Sequence, residues 1–136
     1  MSKDTAFDPY VVEVRTYNDG DVIIEEGSFG SGIYVVLGGS VKVKKTTAKR
    51  MVTIDTLKEG EVFGEMVFLE GGTGARSASV IAAEGPVKVG LLDTQRLIND
   101  YEAVAPEVRM LIQSLMGKLR DTTSKVCSTL VAKNEK

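Results

Sequence analysis

The chain has 136 residues, 43% of them apolar, with a formal net charge of −2 and a sequence pI of about 5.2. That is one domain with enough chain for a core, and its charge calls for neither nucleic acid nor an anionic membrane as a partner. There is no histidine and a single cysteine, Cys127, which removes histidine metal sites, Ser–His and Cys–His nucleophile systems and an internal disulfide together. No apolar run reaches the length of a membrane span, and the opening Met1-Ser2-Lys3-Asp4 has no signal-peptide core. The expectation is a cytoplasmic, non-catalytic protein.

Residues 1–10 read as a lead-in, with Pro9 near its end. Short apolar runs follow at 11–14, 22–24, 33–37, 41–45, 51–57, 78–82 and 87–92. Several alternate with period two, as in Val41-Lys42-Val43-Lys44 and Val87-Lys88-Val89, the mark of a strand with one buried face. Turn residues separate them: Asn18-Asp19-Gly20-Asp21, Glu26-Gly27, Gly30-Ser31-Gly32, Gly38-Gly39, Glu59-Gly60 and Glu84-Gly85-Pro86. Many short strands at this spacing, with 14 glycines, predict a mainly β fold, an antiparallel β-roll or jelly-roll barrel over 11–92.

The pattern changes after Leu92. Asp93 or Thr94 can cap a short helix over 95–101, and Pro106 with Glu107 beside it suits the first turn of a long helix ending near Val131. Val108, Ile112, Leu115, Leu119, Thr122 and Val126 follow alternating steps of four and three, which is coiled-coil spacing. The first half of this stripe is expected to pack on the barrel and the second half to meet a partner helix. The chain thus divides into a lead-in (1–10), a β-roll (11–92), C-terminal helices (93–132) and a tail (133–136).

The chemistry is concentrated in Phe63-Gly64-Glu65-Met66-Val67-Phe68-Leu69 and Arg76-Ser77-Ala78-Ser79. A carboxylate and a guanidinium stand eleven positions apart, with Gly71, Gly72 and Gly74 between them. A strand entering at Val62 and Phe63 stops at Gly64. The next residues can form one helical turn whose unpaired N–H groups attract an anion. Arg76 offers a donor fork suited to a phosphate. Glu65, repelled by a phosphate, makes sense as the acceptor of a sugar hydroxyl, and the two together suggest a small nucleotide. The plainer alternative is a solvated strand-end salt bridge between Glu65 and Arg76. Thr122 and Thr123, polar within the helical seam, either set its register or meet a ligand's polar edge.

Gly20-Asp21, Glu26-Gly27, Gly32, Gly38 and Gly60, ahead of Phe63-Gly64-Glu65 and Arg76-Ser77-Ala78, carry a resemblance. Over about residues 11–131 the chain resembles a cyclic nucleotide-binding domain, the module shared by the catabolite activator protein, protein kinase A regulatory subunits and cyclic nucleotide-gated channels. The resemblance implies that Glu65 takes the ribose 2′-hydroxyl and that Arg76 pairs with the cyclic phosphate. Backbone N–H groups after Glu65 and at Ala78, with the Ser77 hydroxyl, add phosphate contacts. Phe63, Gly64, Met66 and Val67 complete that segment. Residues 118–126 resemble the dimer helix of the catabolite activator protein, and Thr122 and Thr123 fall where that protein's Thr-Ser pair contacts adenine, one of the two across the dimer.

The implied function is a cyclic nucleotide sensor domain, with cAMP as ligand and cGMP second. It needs no metal or other cofactor and signals through its C-terminal helix. The implied partners are a second copy of the chain along that helix and a downstream protein. Bacterial members of the family continue into a DNA-binding segment; this sequence stops at Lys136, so no nucleic acid is expected to be bound by these residues, and the output is expected to pass through another protein or through a segment not present here. Val67 stands where the family commonly has Ala, Gly or Ser. It supports the alternative of a degenerate module of the same fold, acting only in dimerisation or protein interaction. A metal-dependent barrel enzyme is a remote third reading in a chain without histidine.

Overall fold

A computed structural model of the chain describes residues 6–65 and 75–134, without the side chains of 123, 124 and 126–134. A 3-10 turn, Asp8–Tyr10, leads into β1 (Val11–Tyr17) and β2 (Val22–Ile24). Then come β3 (Tyr34–Thr46), β4 (Met51–Lys58), β5 (Val62–Phe63) and β6 (Ser79–Leu92), followed by α1 (Thr94–Glu102) and α2 (Pro106–Asn134). The described strand pairs are antiparallel, in the order β1-β6-β3-β4, with β2 also on β6 and β5 also on β3. The result is an open β-roll followed by two helices, the class expected from the sequence.

Two pairs of expected strands prove to be one long strand each. β3 runs through Gly38-Gly39, and β6 runs through Glu84-Gly85-Pro86. They stay partners on both sides of these bends, from Tyr34↔Leu91 to Gly38↔Lys88 and again from Ser40↔Ala83 to Lys44↔Ser79. Gly39 has φ +83°, and a Cβ there would lie 3.0 Å from the Pro86 carbonyl. The glycine therefore lets two backbones approach at a bulge, where the chain bends without reversing. β2 and β4 dock on one half of this bent ribbon, and β1 and β5 on the other.

Tyr34, Val36 and Val41 point into the roll with Ile24, Phe63, Val80, Ala82, Val87 and Val89. Ile33, Val35, Leu37 and Leu92 form a second cluster, covered by Phe7, Tyr10, Val11, Val62 and Leu97. The first half of β3 is therefore buried on both faces, which is why its apolar run is continuous and not alternating.

Asp93 caps α1, its Oδ1 accepting from the Arg96 N–H at 3.0 Å. α1 is also fastened to the lead-in. Tyr10 donates its hydroxyl to Asp100 at 2.7 Å, Arg96 donates to the Pro9 carbonyl at 2.8 Å, and its guanidinium lies 4.8 Å from the Tyr10 ring centre. The expected packing of the first half of α2 on the barrel is not found. Val108, Met110, Leu111, Leu115 and Leu119 are exposed, between 45% and 68%, while Ile112 and Met116 are half-buried. The lead-in and α1 cover the second apolar cluster instead, and no residue of α2 joins either cluster among the described residues. No helix among the described residues is long and apolar enough to cross a membrane.

Candidate functional site

The candidate corner is built where β5 ends and β6 begins. β5 holds to β3 through Tyr34↔Phe63 and Val35↔Val62. The Phe63 ring stacks on Tyr34 with centroids 5.1 Å apart and planes 14° from parallel, which anchors the strand end in the core. Gly64 then turns the chain at φ +84°. A Cβ on Gly64 would lie 2.6 Å from the Gly32 carbonyl oxygen and 3.2 Å from Arg76 Nη1. Glycine is needed here twice over, for its backbone angle and for the close approach.

Arg76 reaches this corner from the opposite side. Its backbone is stitched to the turn after β2: Gly27 N donates to Arg76 O and Arg76 N to Ser28 O, both at 2.8 Å, next to the Phe29↔Ala75 bridge. Its half-buried side chain donates from Nη2 to the Gly32 carbonyl at 2.9 Å and from Nη1 to the Gly64 carbonyl at 3.3 Å. Gly30 presses on the same guanidinium, a Cβ there falling 3.4 Å from Nη2. Among the described residues Arg76 has no carboxylate partner. The strand-end salt bridge with Glu65 is thus not formed, because neutral carbonyls from the two flanking turns take the guanidinium. A positive charge fixed by neutral acceptors keeps donors and net charge for an anion.

Glu65 follows Gly64 directly and stays open to solvent. Even so, the protein around it disfavours the charged form and pushes its pKa above the ordinary value, opposed by a hydrogen bond from its own backbone. Ser77 is exposed, Ala78 half-buried and Ser79 buried. The structure joins Arg76 directly to Gly64; Phe63 and Glu65 flank Gly64, and Ser77 and Ala78 follow Arg76. Met66 and Val67, and with them most of the expected helical turn, lie outside the described residues. Thr122 is exposed on α2; among the described residues no hydrogen bond joins it to the corner, and the Thr123 side chain lies outside the description.

Gly30, read from sequence only as a turn residue, and Gly32, which also carried the resemblance, are structural parts of this corner, and so are Glu26 and Lys45. Their signal was weak, since contacts among residues 32, 64 and 76 are not local in sequence. Among the described residues no group of three or more Asp, Glu or Cys converges as a metal site.

Comparison with known proteins agrees with this geometry. Residues 14–101 match the family model described as the cyclic nucleotide-binding domain. The chain belongs to the cyclic nucleotide-binding domain family. It is 37% identical over 110 residues to human cGMP-dependent protein kinase 2, across 79% of this chain and 14% of the kinase. It is 34% identical over 106 residues to the cyclic AMP receptor protein of Thermus thermophilus, across 77% of this chain and 46% of that protein. The solved cAMP-bound form of the EAL enzyme Bd1971 superposes with a TM-score of 0.71 at 27% identity, over 84% of this chain and 30% of that one. This cyclic nucleotide-binding domain thus spans less than half the length of each of these relatives.

Proposed function

We propose that this domain binds one cyclic nucleotide, cAMP or else cGMP, between the end of β5 and the start of β6, and that it acts as a non-catalytic regulatory module. The observation that carries the reading is Arg76: a guanidinium held in place by two neutral carbonyls, with no carboxylate partner among the described residues, beside a glycine turn. In this reading Arg76 takes the cyclic phosphate and the Ala78 N–H and Ser77 hydroxyl assist. Glu65 accepts the ribose 2′-hydroxyl. Thr122 and Thr123 read the base from α2.

A route to the helices supports the regulatory part. Thr94, the first residue of α1, donates its hydroxyl to the Ser31 carbonyl at 3.0 Å. Ser31 precedes Gly32, whose carbonyl holds Arg76. An anion that draws the guanidinium forward shifts the acceptor loop on which α1 rests, and α2 follows α1. The exposed apolar stripe of α2 suits a second copy of the chain, related by a parallel helix pair.

Thermal unfolding with and without nucleotide tests this. Saturating nucleotide is expected to raise the melting temperature by mass action, and Arg76→Leu to abolish the rise. A parent protein whose melting is indifferent to both nucleotides at millimolar concentration would instead favour the degenerate interaction module.

A further inference from the structure

Lys45 lies on β3 two positions beyond Val43 and four beyond Val41, on the strand face that points into the roll. It sits at the open end of that face, where a lysine is unusual company for core valines. Its ammonium donates to the Ser77 carbonyl at 2.7 Å and to Glu26 Oε2 at 3.4 Å, with the two side chains 31% and 24% exposed. Glu26 is itself held: Oε1 accepts from the Thr46 N–H at 2.8 Å, and its own N–H donates to Ser79 Oγ at 2.9 Å. Ser79 is 5% exposed. Lys45 and Glu26 therefore form a strut between β3, the turn after β2 and the start of β6.

The strut grips one peptide. In a trans peptide the carbonyl of one residue and the N–H of the next point in opposite directions. A Ser77 carbonyl turned toward Lys45 therefore turns the Ala78 N–H away from it. Among the described residues no acceptor meets that N–H. The neighbouring carboxylate of Glu26 offsets the lysine's charge, so Lys45 acts through the peptide it orients more than through its own field.

We propose that Lys45, braced by Glu26, is a positioning residue of the anion corner, fixing the Ser77–Ala78 peptide so that the Ala78 N–H faces the ligand phosphate. The inference rests on the cyclic nucleotide reading above. Its test compares the parent chain with Lys45→Met and Lys45→Arg, using calorimetric titration with cAMP and cGMP, the Ala78 amide signal by nitrogen-15 NMR, and melting temperature. Lys45→Met is expected to weaken nucleotide binding about tenfold, the scale of one charge-assisted hydrogen bond at a part-exposed site. It is also expected to move the ligand-free Ala78 amide signal. Lys45→Arg, which can still donate to the carbonyl, is expected to restore most of both. A Lys45→Met protein that melts lower but keeps the parent's affinity and Ala78 signal overturns the positioning role. A parent that binds neither nucleotide overturns the cyclic nucleotide reading itself, whatever Lys45 does to the Ala78 amide.

Discussion

Gly64→Ala is expected to damage both the fold and the site, by an amount the structure allows to be divided. At φ +84° an L-residue is left-handed, which costs about 1–2 kcal/mol. The added Cβ would also stand 2.6 Å from the Gly32 carbonyl, 3.2 Å from Arg76 Nη1 and 3.5 Å from Ile24 Cδ1. Neither the carbonyl nor the β5 end is a flexible side-chain tip, so backbone must move, and overpacking of this kind costs about 1–3 kcal/mol more. Gly60→Ala is the control. Its φ is +90° with nothing within 4 Å of the new Cβ, so it bears only the conformational cost of about 1–2 kcal/mol. At roughly 3–5 °C per kcal/mol for a chain of this length, Gly64→Ala is expected to melt about 3–15 °C below Gly60→Ala in calorimetry. Because the clash displaces both Gly32 and Arg76, nucleotide binding should weaken in Gly64→Ala and stay at the parent level in Gly60→Ala. Equal melting temperatures for the two variants would refute the close-approach argument.

Glu65 has a pKa raised in the folded state above the ordinary 4.5. Its contribution to stability is therefore greatest below pH 4.5 and is lost as the pH rises through the raised value. Denaturant unfolding of the parent minus Glu65→Gln across that window is expected to fall with pH, and a flat difference would remove the desolvation argument. Sedimentation at micromolar concentration is expected to give about twice the chain mass of 14.6 kDa, reduced to one chain by Leu111→Glu with Leu115→Glu; a monomeric parent, with and without nucleotide, would refute the helix pair. Thr122→Val with Thr123→Val is expected to narrow any preference between cAMP and cGMP by no more than the roughly 0.5–1.5 kcal/mol of each neutral hydrogen bond, leaving melting unchanged. An unaltered preference in competition titrations would place base reading elsewhere.

The β class, the capped α1 and the start of α2 at Pro106 were legible because period and end signals are local properties of sequence. Gly38-Gly39 and Glu84-Gly85-Pro86 carry the same local signal as a reversal, and only the pairing of Ser40 with Ala83 after the bend shows a bulge. Phe63-Gly64-Glu65 and Arg76 stood out by residue type. What Arg76 bonds to did not, because Gly32 and Gly64 offer backbone carbonyls that any residue possesses. Lys45 read only as the end of the run 41–45, since nothing nearby in sequence announces Glu26 or the Ser77 carbonyl. The stripe on α2 was visible, but whether the barrel covers it depends on how much apolar sheet face the lead-in and α1 leave free.

The central claim is that Arg76 holds the phosphate of a cyclic nucleotide. Calorimetric titration of the parent chain and of Arg76→Leu with cAMP and cGMP tests it most directly. The parent is expected to give saturable one-site binding with at least one of the two. Arg76→Leu leaves a phosphate without its countercharge, a loss of about 2–5 kcal/mol, or roughly 30- to 4,000-fold in affinity. A folded parent that gives no binding heat with either nucleotide at millimolar concentration, or an Arg76→Leu protein that binds as the parent does, would contradict it.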